Sequence, residues 1–457
     1  MEIPHVYHRF SDLPEDIVLH VFSFLDYGDI VRLSSISRKF QKICSSGHNL
    51  LFKLDFDDKS CTATCKKFKK FLKDSVAKKK CKKFKGFESL DLHNAPEIQR
   101  LGLHWFCHCC RYDSKKSSFM NWLQYALRNK VQELDIAVPV TADHKPFKFP
   151  AAGRDQFTSL KVLKLKLQRG ESNLLALEMP SLEALSLTSV SVDSLKFGEW
   201  VSSNSCKSLK VLNLEEFRGI YDLNISSSSL KAFTLVSCAR HQDGNFNIIS
   251  CSSLEKLSIT KCAFGNFKLM NSPSLKGLQI SNCKFFNNFD INIISAEQLQ
   301  TFTLTMNLSF WTGNGSINLH NSLSLRDAVI SVEPNRNFTH NDLFRLMNDI
   351  RYAKSLQLSF QTIQALSHHD QWPKFEYLEH LEVTGAELNL YKIATIAAFL
   401  VELCSLNTLT LRFNENATQL SEIEVANKIC SEVEKHGVES NYLKIICTAK
   451  KTKRNKF

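Results

Sequence analysis

Seven copies of one short pattern, Leu-x-x-Leu-x-Leu with Phe or Ile sometimes replacing a later leucine, fill the middle of this chain and leave it few ways to fold. They begin at Leu160, Leu182, Leu209, Leu230, Leu254, Leu275 and Leu299, so the steps between them are 22, 27, 21, 24, 21 and 24 residues. A unit that short cannot bury its own apolar face; only stacking of successive copies makes a continuous core. Within each copy the last two apolar residues flank one that is mostly polar, as in Leu163-Lys164-Leu165 and Leu257-Ser258-Ile259. That alternation predicts a short strand with both apolar residues inward and the residue between them facing solvent. Less regular copies at 90–92, 131–136, 328–330, 356–358, 378–383 and 406–411 extend the array. The expectation is an α/β solenoid over residues 88–420, its curved parallel sheet holding about thirteen strands. Phe119, Trp122, Leu123 and Ala126 make a helical face ahead of Leu134, and segments 341–350, 391–403 and 423–436 read as helical returns.

The first fifty residues obey a different rule. Pro14 suits the first turn of a helix, where a missing N–H costs nothing, and Glu15 and Asp16 favour its positive end. Ile17, Val18, Val21, Phe22 and Leu25 then recur at three- and four-residue spacing. Asp26 or Asp29 can cap a second helix carrying Ile30 and Leu33, and Ser37 a third carrying Phe40 and Ile43. Three helices in so few residues make a very small core, which leaves apolar surface for a partner.

This stretch resembles the F-box. Leu13-Pro14, Ser23-Phe24-Leu25, Asp29 before the second helix and Ser37-Arg38-Lys39-Phe40 arrive in the family's order, with Phe40 where Trp is usual. Together with the repeats, and with Phe56-Asp57-Asp58 and Trp122–Ala126 leading to Val131–Leu134, the whole resembles the plant F-box/leucine-rich-repeat class. The resemblance implies a three-helix F-box over 8–50, a link over 51–87, the repeats over 88–420 and a helical cap with a basic tail over 421–457. It implies a non-catalytic substrate-recognition subunit of a Skp1–cullin–F-box type ubiquitin ligase. A Skp1-like adaptor would bind through Leu13, Pro14, Ile17, Val18, Leu25, Ile30 and Phe40, a cullin complex through that adaptor, and an unknown target protein on the repeats. Nothing in it calls for a cofactor, and the expected location is nucleus, cytoplasm or both.

Composition sharpens this reading. Of the net charge of +12, the run from Lys66 to Lys85 supplies +10. Lys66, Lys67, Lys69, Lys70, Lys78, Lys79, Lys80, Lys82 and Lys83 form a basic patch on an amphipathic helix whose other face carries Phe68, Phe71, Leu72 and Val76. Three roles are open to it: a solvated cap surface, an import patch or contact with an acidic partner, and a nucleic-acid or anionic-lipid contact. Aromatic interleaving for base stacking is missing, so nucleic acid is not expected. No stretch has the length and apolarity of a membrane span. The alternative function is a repeat scaffold, or a polyanion-binding protein acting through Lys66–Lys85.

No nucleophile elbow, phosphate loop, dinucleotide fingerprint or His-Glu-x-x-His stands out. The fifteen cysteines, in a chain without an export signal, read as free thiols. Cys238, Cys262 and Cys283 each follow a strand's last core residue by three, a place where a small side chain turns inward to serve turn backbone. His104, Cys107, His108, Cys109 and Cys110 are dense in soft ligands but lack paired spacing, and no metal is assigned. Target contacts are expected on the outward residues Asn213, Glu215, Ser258, Thr260, Gln279, Ser281 and Thr303, which are small and mostly uncharged. Trp311 and Trp372 are candidate anchors beside them.

Overall fold

A computed structural model gives the fold and describes residues 13–22, 37–40, 42, 51–56, 99–105, 112–138, 147–150, 157–218, 222–238, 245–270, 272–293, 297–306, 315–320, 322–333, 335, 338–369, 371–385, 389–403, 405–414, 421–436 and 443–450. The chain divides into two compact units, residues 1–192 with 203–209 and residues 193–202 with 210–457.

In the first unit, helix α1 (Glu15–Phe22) is followed by strands β1 (Leu51–Phe56) and β2 (Arg100–Trp105), helix α2 (Tyr112–Arg128), and strands β3 (Glu133–Val138), β4 (Val162–Glu171) and β5 (Ala184–Ser191). The five strands pair in chain order and all in parallel. Register explains the burial: Leu103, Ile136, Leu165 and Leu187 are partners from strand to strand and all lie in the core. A one-residue slip would send this whole row to solvent. Beneath them Phe119 of α2 begins an edge-to-face chain through Phe147, Phe149 and Phe157. The stretch 51–56, read as part of a link, is the first strand of this sheet.

The second unit begins with helix α3 (Ser194–Ser202). Strands then follow as β6 (Val211–Glu215), β7 (Asp222–Ser226), β8 (Ala232–Val236), β9 (Asn245–Ser250), β10 (Lys256–Thr260), β11 (Ala263–Phe264), β12 (Asn266–Met270), β13 (Gly277–Phe285), β14 (Phe289–Ile293), β15 (Thr301–Met306), β16 (Gly315–Leu319) and β17 (Asp327–Val332). After them come helix α4 (His340–Asp349), β18 (Ser355–Ser359), α5 (Phe360–Leu366), β19 (His380–Thr384), α6 (Leu390–Leu400), β20 (Thr408–Asn414), α7 (Glu422–Lys435) and β21 (Lys444–Lys450). The repeat leucines put β6, β8, β10, β13, β15, β17, β18, β19, β20 and β21 side by side in one parallel sheet.

A second parallel sheet, β7, β9, β12, β14 and β16, occupies the returns where the sequence predicted only variable segments. Its own alternation was there to be read: Leu223 and Ile225, Phe246 and Ile248, Phe267 and Leu269, Phe289 and Ile291, Ile317 and Leu319 are all buried. Phe246, Phe264, Phe267, Phe285 and Phe289 pack there in a continuous ring series, with centroids 4.4 Å apart at Phe285–Phe289 and 5.2 Å at Phe246–Phe264. Helices close both edges of this sheet. The Ser202 hydroxyl of α3 accepts the Ser226 N–H of β7 at 3.0 Å, and the Asp349 carboxylate of α4 accepts the Leu319 N–H of β16 at 2.9 Å. An edge so covered is no template for another chain.

Two devices recur. Two residues past the second core residue of their repeats, Ser189, Glu216, Ser237, Lys261 and Asn282 take the left-handed conformation, with φ between 49° and 55°. The N–H of Glu216, Ser237 and Lys261 each reaches the next strand's carbonyl at 2.9 Å, so the bend costs no hydrogen bond. The return helices α4, α5, α6 and α7 start at Thr339, Ser359, Asn389 and Ser421, each side chain accepting the N–H three residues on. Beyond residue 421 the sequence reading had a cap and a tail. The cap is α7, but β21 then pairs with β20 over seven residues and continues the sheet.

Candidate functional site

Two surfaces carry the residues singled out by sequence. At the first, α1 starts at Pro14, whose carbonyl accepts the Val18 N–H at 3.1 Å. Val18 is 0% and Phe40 4% exposed, whereas Ile17 is 43% exposed and Pro14 lies at the surface. Lys39 Nζ donates to the Leu13 carbonyl at 2.6 Å and ties the Ser37–Phe40 segment to the Leu-Pro start. Val18 and Phe40 therefore hold the helices, while Leu13, Pro14 and Ile17 are accessible. Leu25 and Ile30 lie outside the described residues.

The second surface is the outward face of the main sheet in the second unit. Asn213, Thr234, Ser258, Gln279 and Thr303 form one row across strands, and Glu215, Val236, Thr260, Ser281 and Thr305 the next. Ser258 Oγ donates to Gln279 Oε1 at 3.1 Å, Gln279 Nε2 donates to Ser281 Oγ at 3.3 Å, and Thr305 Oγ1 accepts the Asn282 N–H at 3.3 Å. Ser281, expected at the surface, is only 7% exposed. The Gln279 amide bonded to it and threonines on both neighbouring strands cover so small a side chain. Charge enters this face farther along, where Arg412 Nε meets Glu382 Oε1 at 2.9 Å. Trp372 is half-buried with its ring 5.1 Å from that of buried Phe399, a packing contact on α6. Trp311, and the lysines from Lys66 to Lys83, lie outside the described residues.

The cysteine ladder is built as the spacing predicted. Cys262 Sγ accepts the Cys238 N–H at 3.4 Å, while the thiols of Cys238 and Cys283 donate to the carbonyls of Leu214 at 3.3 Å and Ile259 at 3.4 Å. Hydrogen bonds with Cys238 and Cys283, and then burial, push the Cys262 thiol far up. Burial pushes Cys206 up to about 12. Thiols raised in this way are structural, not nucleophilic; the hydrogen bond with Cys262 instead holds Cys238 and Cys283 below the usual thiol range. His104 Nε2 lies 3.0 Å from Asp135 Oδ1; Cys107, His108, Cys109 and Cys110 lie outside the described residues. Among the described residues no group of three or more His, Cys, Asp or Glu side chains is placed to hold a metal ion, and no helix is long and apolar enough to cross a membrane.

Comparison with known proteins reaches the first surface and only the first strands of the second. The F-box domain profile matches residues 10–52, and the profile described as At1g61320/AtMIF1, LRR domain, matches residues 90–245. F-box/FBD/LRR-repeat protein At4g26340 of Arabidopsis thaliana is 26% identical over 198 residues, which are 42% of this chain and 41% of that protein. The alignment thus spans less than half of that relative's length. Proteins built this way are typically non-catalytic subunits. The chain thus carries an F-box ahead of a leucine-rich-repeat region, an order consistent with the F-box/leucine-rich-repeat proteins.

Proposed function

We propose that this protein is a substrate-recognition subunit of a Skp1–cullin–F-box type ubiquitin ligase. The observation that carries the reading is the F-box match over residues 10–52 ahead of the repeats. The role asked of the chain is proximity: the F-box binds a Skp1-like adaptor, the adaptor brings a cullin, and the repeat face holds a target protein near the ubiquitin-loaded enzyme. Leu13, Pro14 and Ile17 supply accessible apolar contact worth about 25 cal/mol per Å² before the costs of association. The neutral, hydrogen-bonded rows around Ser258, Gln279 and Thr303 suit a segment recognised by shape and hydrogen bonds.

The test is co-purification of adaptor and cullin with the intact chain and with Leu13→Ala/Pro14→Ala, followed by ubiquitination of any protein captured on the repeats. Loss of adaptor and cullin with the double variant supports the reading. Undiminished adaptor recovery overturns it, and so does steep salt-dependent binding to acidic polymers with no cullin recovered.

A further inference from the structure

We infer that Lys164 and Lys166, on the outward face of β4, bind an acidic extended segment of the protein's target. Both side chains are exposed, and they stand two residues apart on one strand, so both point outward. The carboxylates of the neighbouring strand are already engaged. Glu133 on β3 lies 2.7 Å from Arg100 Nε, and Asp135, the register partner of Lys164, lies 3.0 Å from His104. On the other side β5 offers only Ser186 and Thr188 as partners in register. Lys161, also exposed, adds a third positive charge just ahead of the strand.

Several charges of other repeats are paired. Glu255 lies between Lys231, at 3.8 Å, and Lys276, at 2.9 Å; Lys354 meets Glu379 at 3.9 Å, and Arg412 meets Glu382 at 2.9 Å. Lys164 and Lys166 have no salt-bridge partner among the described residues. Two ammonium groups held side by side with no ion pair of their own are a ready site for anions. Alternate residues of an extended chain are about 6–7 Å apart. A target segment with carboxylates at alternate positions therefore matches the two lysines in spacing and sign, while the neutral neighbours Ser186 and Thr188 leave its backbone room to hydrogen-bond.

This inference rests on the proposed target-binding role of the repeats, and its test keeps the two apart. The full chain, with adaptor, is titrated at low salt against a fluorescein-labelled peptide of alternating glutamate and threonine. A serine-for-glutamate version and a single-stranded oligonucleotide serve as comparisons. The glutamate peptide should bind, lose about tenfold or more in affinity in Lys164→Ser/Lys166→Ser, keep most of it in Lys164→Arg/Lys166→Arg, and weaken with salt. Equal binding by the serine double variant, or none by the intact chain, overturns the inference. An oligonucleotide that binds as tightly, and is lost with the same variant, also overturns it in favour of a general polyanion site. Capture of cellular partners under proteasome inhibition separates it from the target-binding reading. Partners lost with Ser258→Arg/Thr303→Arg but kept by the lysine variant leave that reading standing and sink this one. Partners indifferent to both sink both.

Discussion

Gly198 of α3 lies against the main chain of Asn224 so closely that a methyl group in its place would overlap the Asn224 carbonyl. The contact lets α3 lie across the edge of β7, with Phe197 packed 5.0 Å from Phe217 and Ser202 bonded to Ser226. In an ordinary helix interior Gly→Ala stabilises by about 1 kcal/mol. Here the obstacle is backbone that cannot swing aside, and overpacking costs about 1–3 kcal/mol. We expect Gly198→Ala to lower the urea midpoint and Ser202→Ala to lower it less. A midpoint unchanged or raised by Gly198→Ala would show that the edge yields.

Two carboxylates should change stability with pH in opposite directions. Hydrogen bonds from the Ser421 backbone and hydroxyl hold exposed Glu424 below the usual glutamate range. Its contribution is present above the unfolded-state value and is lost as pH falls through the lower folded value. Burial pushes Asp349 up, against the opposing Leu319 N–H. Its contribution is greatest below the unfolded-state value and is lost as pH rises through the raised folded value. Glu424→Gln should therefore destabilise at neutral pH, and Asp349→Asn, which keeps an acceptor for Leu319, should stabilise there. Both differences should shrink in acid. Denaturant midpoints across the acid range check the signs, and an Asp349→Asn variant weaker than the parent at neutral pH would refute the burial argument.

How much of this could be read beforehand follows from periodicity. The seven regular copies became strands because Leu-x-Leu alternation has one structural solution when the period is short. The cysteines at 238, 262 and 283 were legible for the same reason, since a fixed offset from the strand fixes their direction. The second sheet was missed because Phe246, Phe267 and Phe289 sit in segments rich in Asn and Ser, which read as loop. α3 was hidden by its Gly and Ser, and β21 by the surrounding lysines. The accessible F-box residues could be named from the motif, but not the division between exposed Ile17 and buried Val18. That depends on the angle at which the helices meet.

The buried thiols should be chemically silent. Cys206, Cys238, Cys251, Cys262 and Cys283 are all buried and free, and burial raises Cys206 and Cys251. Iodoacetamide labelling mapped by mass spectrometry should leave these five unmodified in folded protein and modify all of them in urea. Cys262→Ala removes the acceptor of the Cys238 N–H and should cost about 1–3 kcal/mol. Labelling of Cys262 in the folded protein at the rate of an exposed thiol would mean that the ladder opens readily.

Lys39 is expected to act on adaptor binding through Leu13. Its ammonium donates to the Leu13 carbonyl at 2.6 Å across 26 residues of sequence, so it fixes where the Leu-Pro start stands relative to buried Phe40. A hydrogen bond to a charged group is worth about 1.5–3 kcal/mol when well formed, and partial exposure puts this one toward the low end. Lys39→Met keeps the aliphatic stem and removes the donor; it should weaken adaptor binding about tenfold in calorimetry. Lys39→Arg restores a donor and should recover most of that loss. A positioning role predicts one thing more: amide hydrogen exchange in α1 of the free protein should quicken with Met and not with Arg, because α1 has lost its tether before any partner arrives. If affinity falls while exchange stays unchanged, Lys39 touches the adaptor directly. If Lys39→Met binds adaptor as the parent does, the tether has no part in binding.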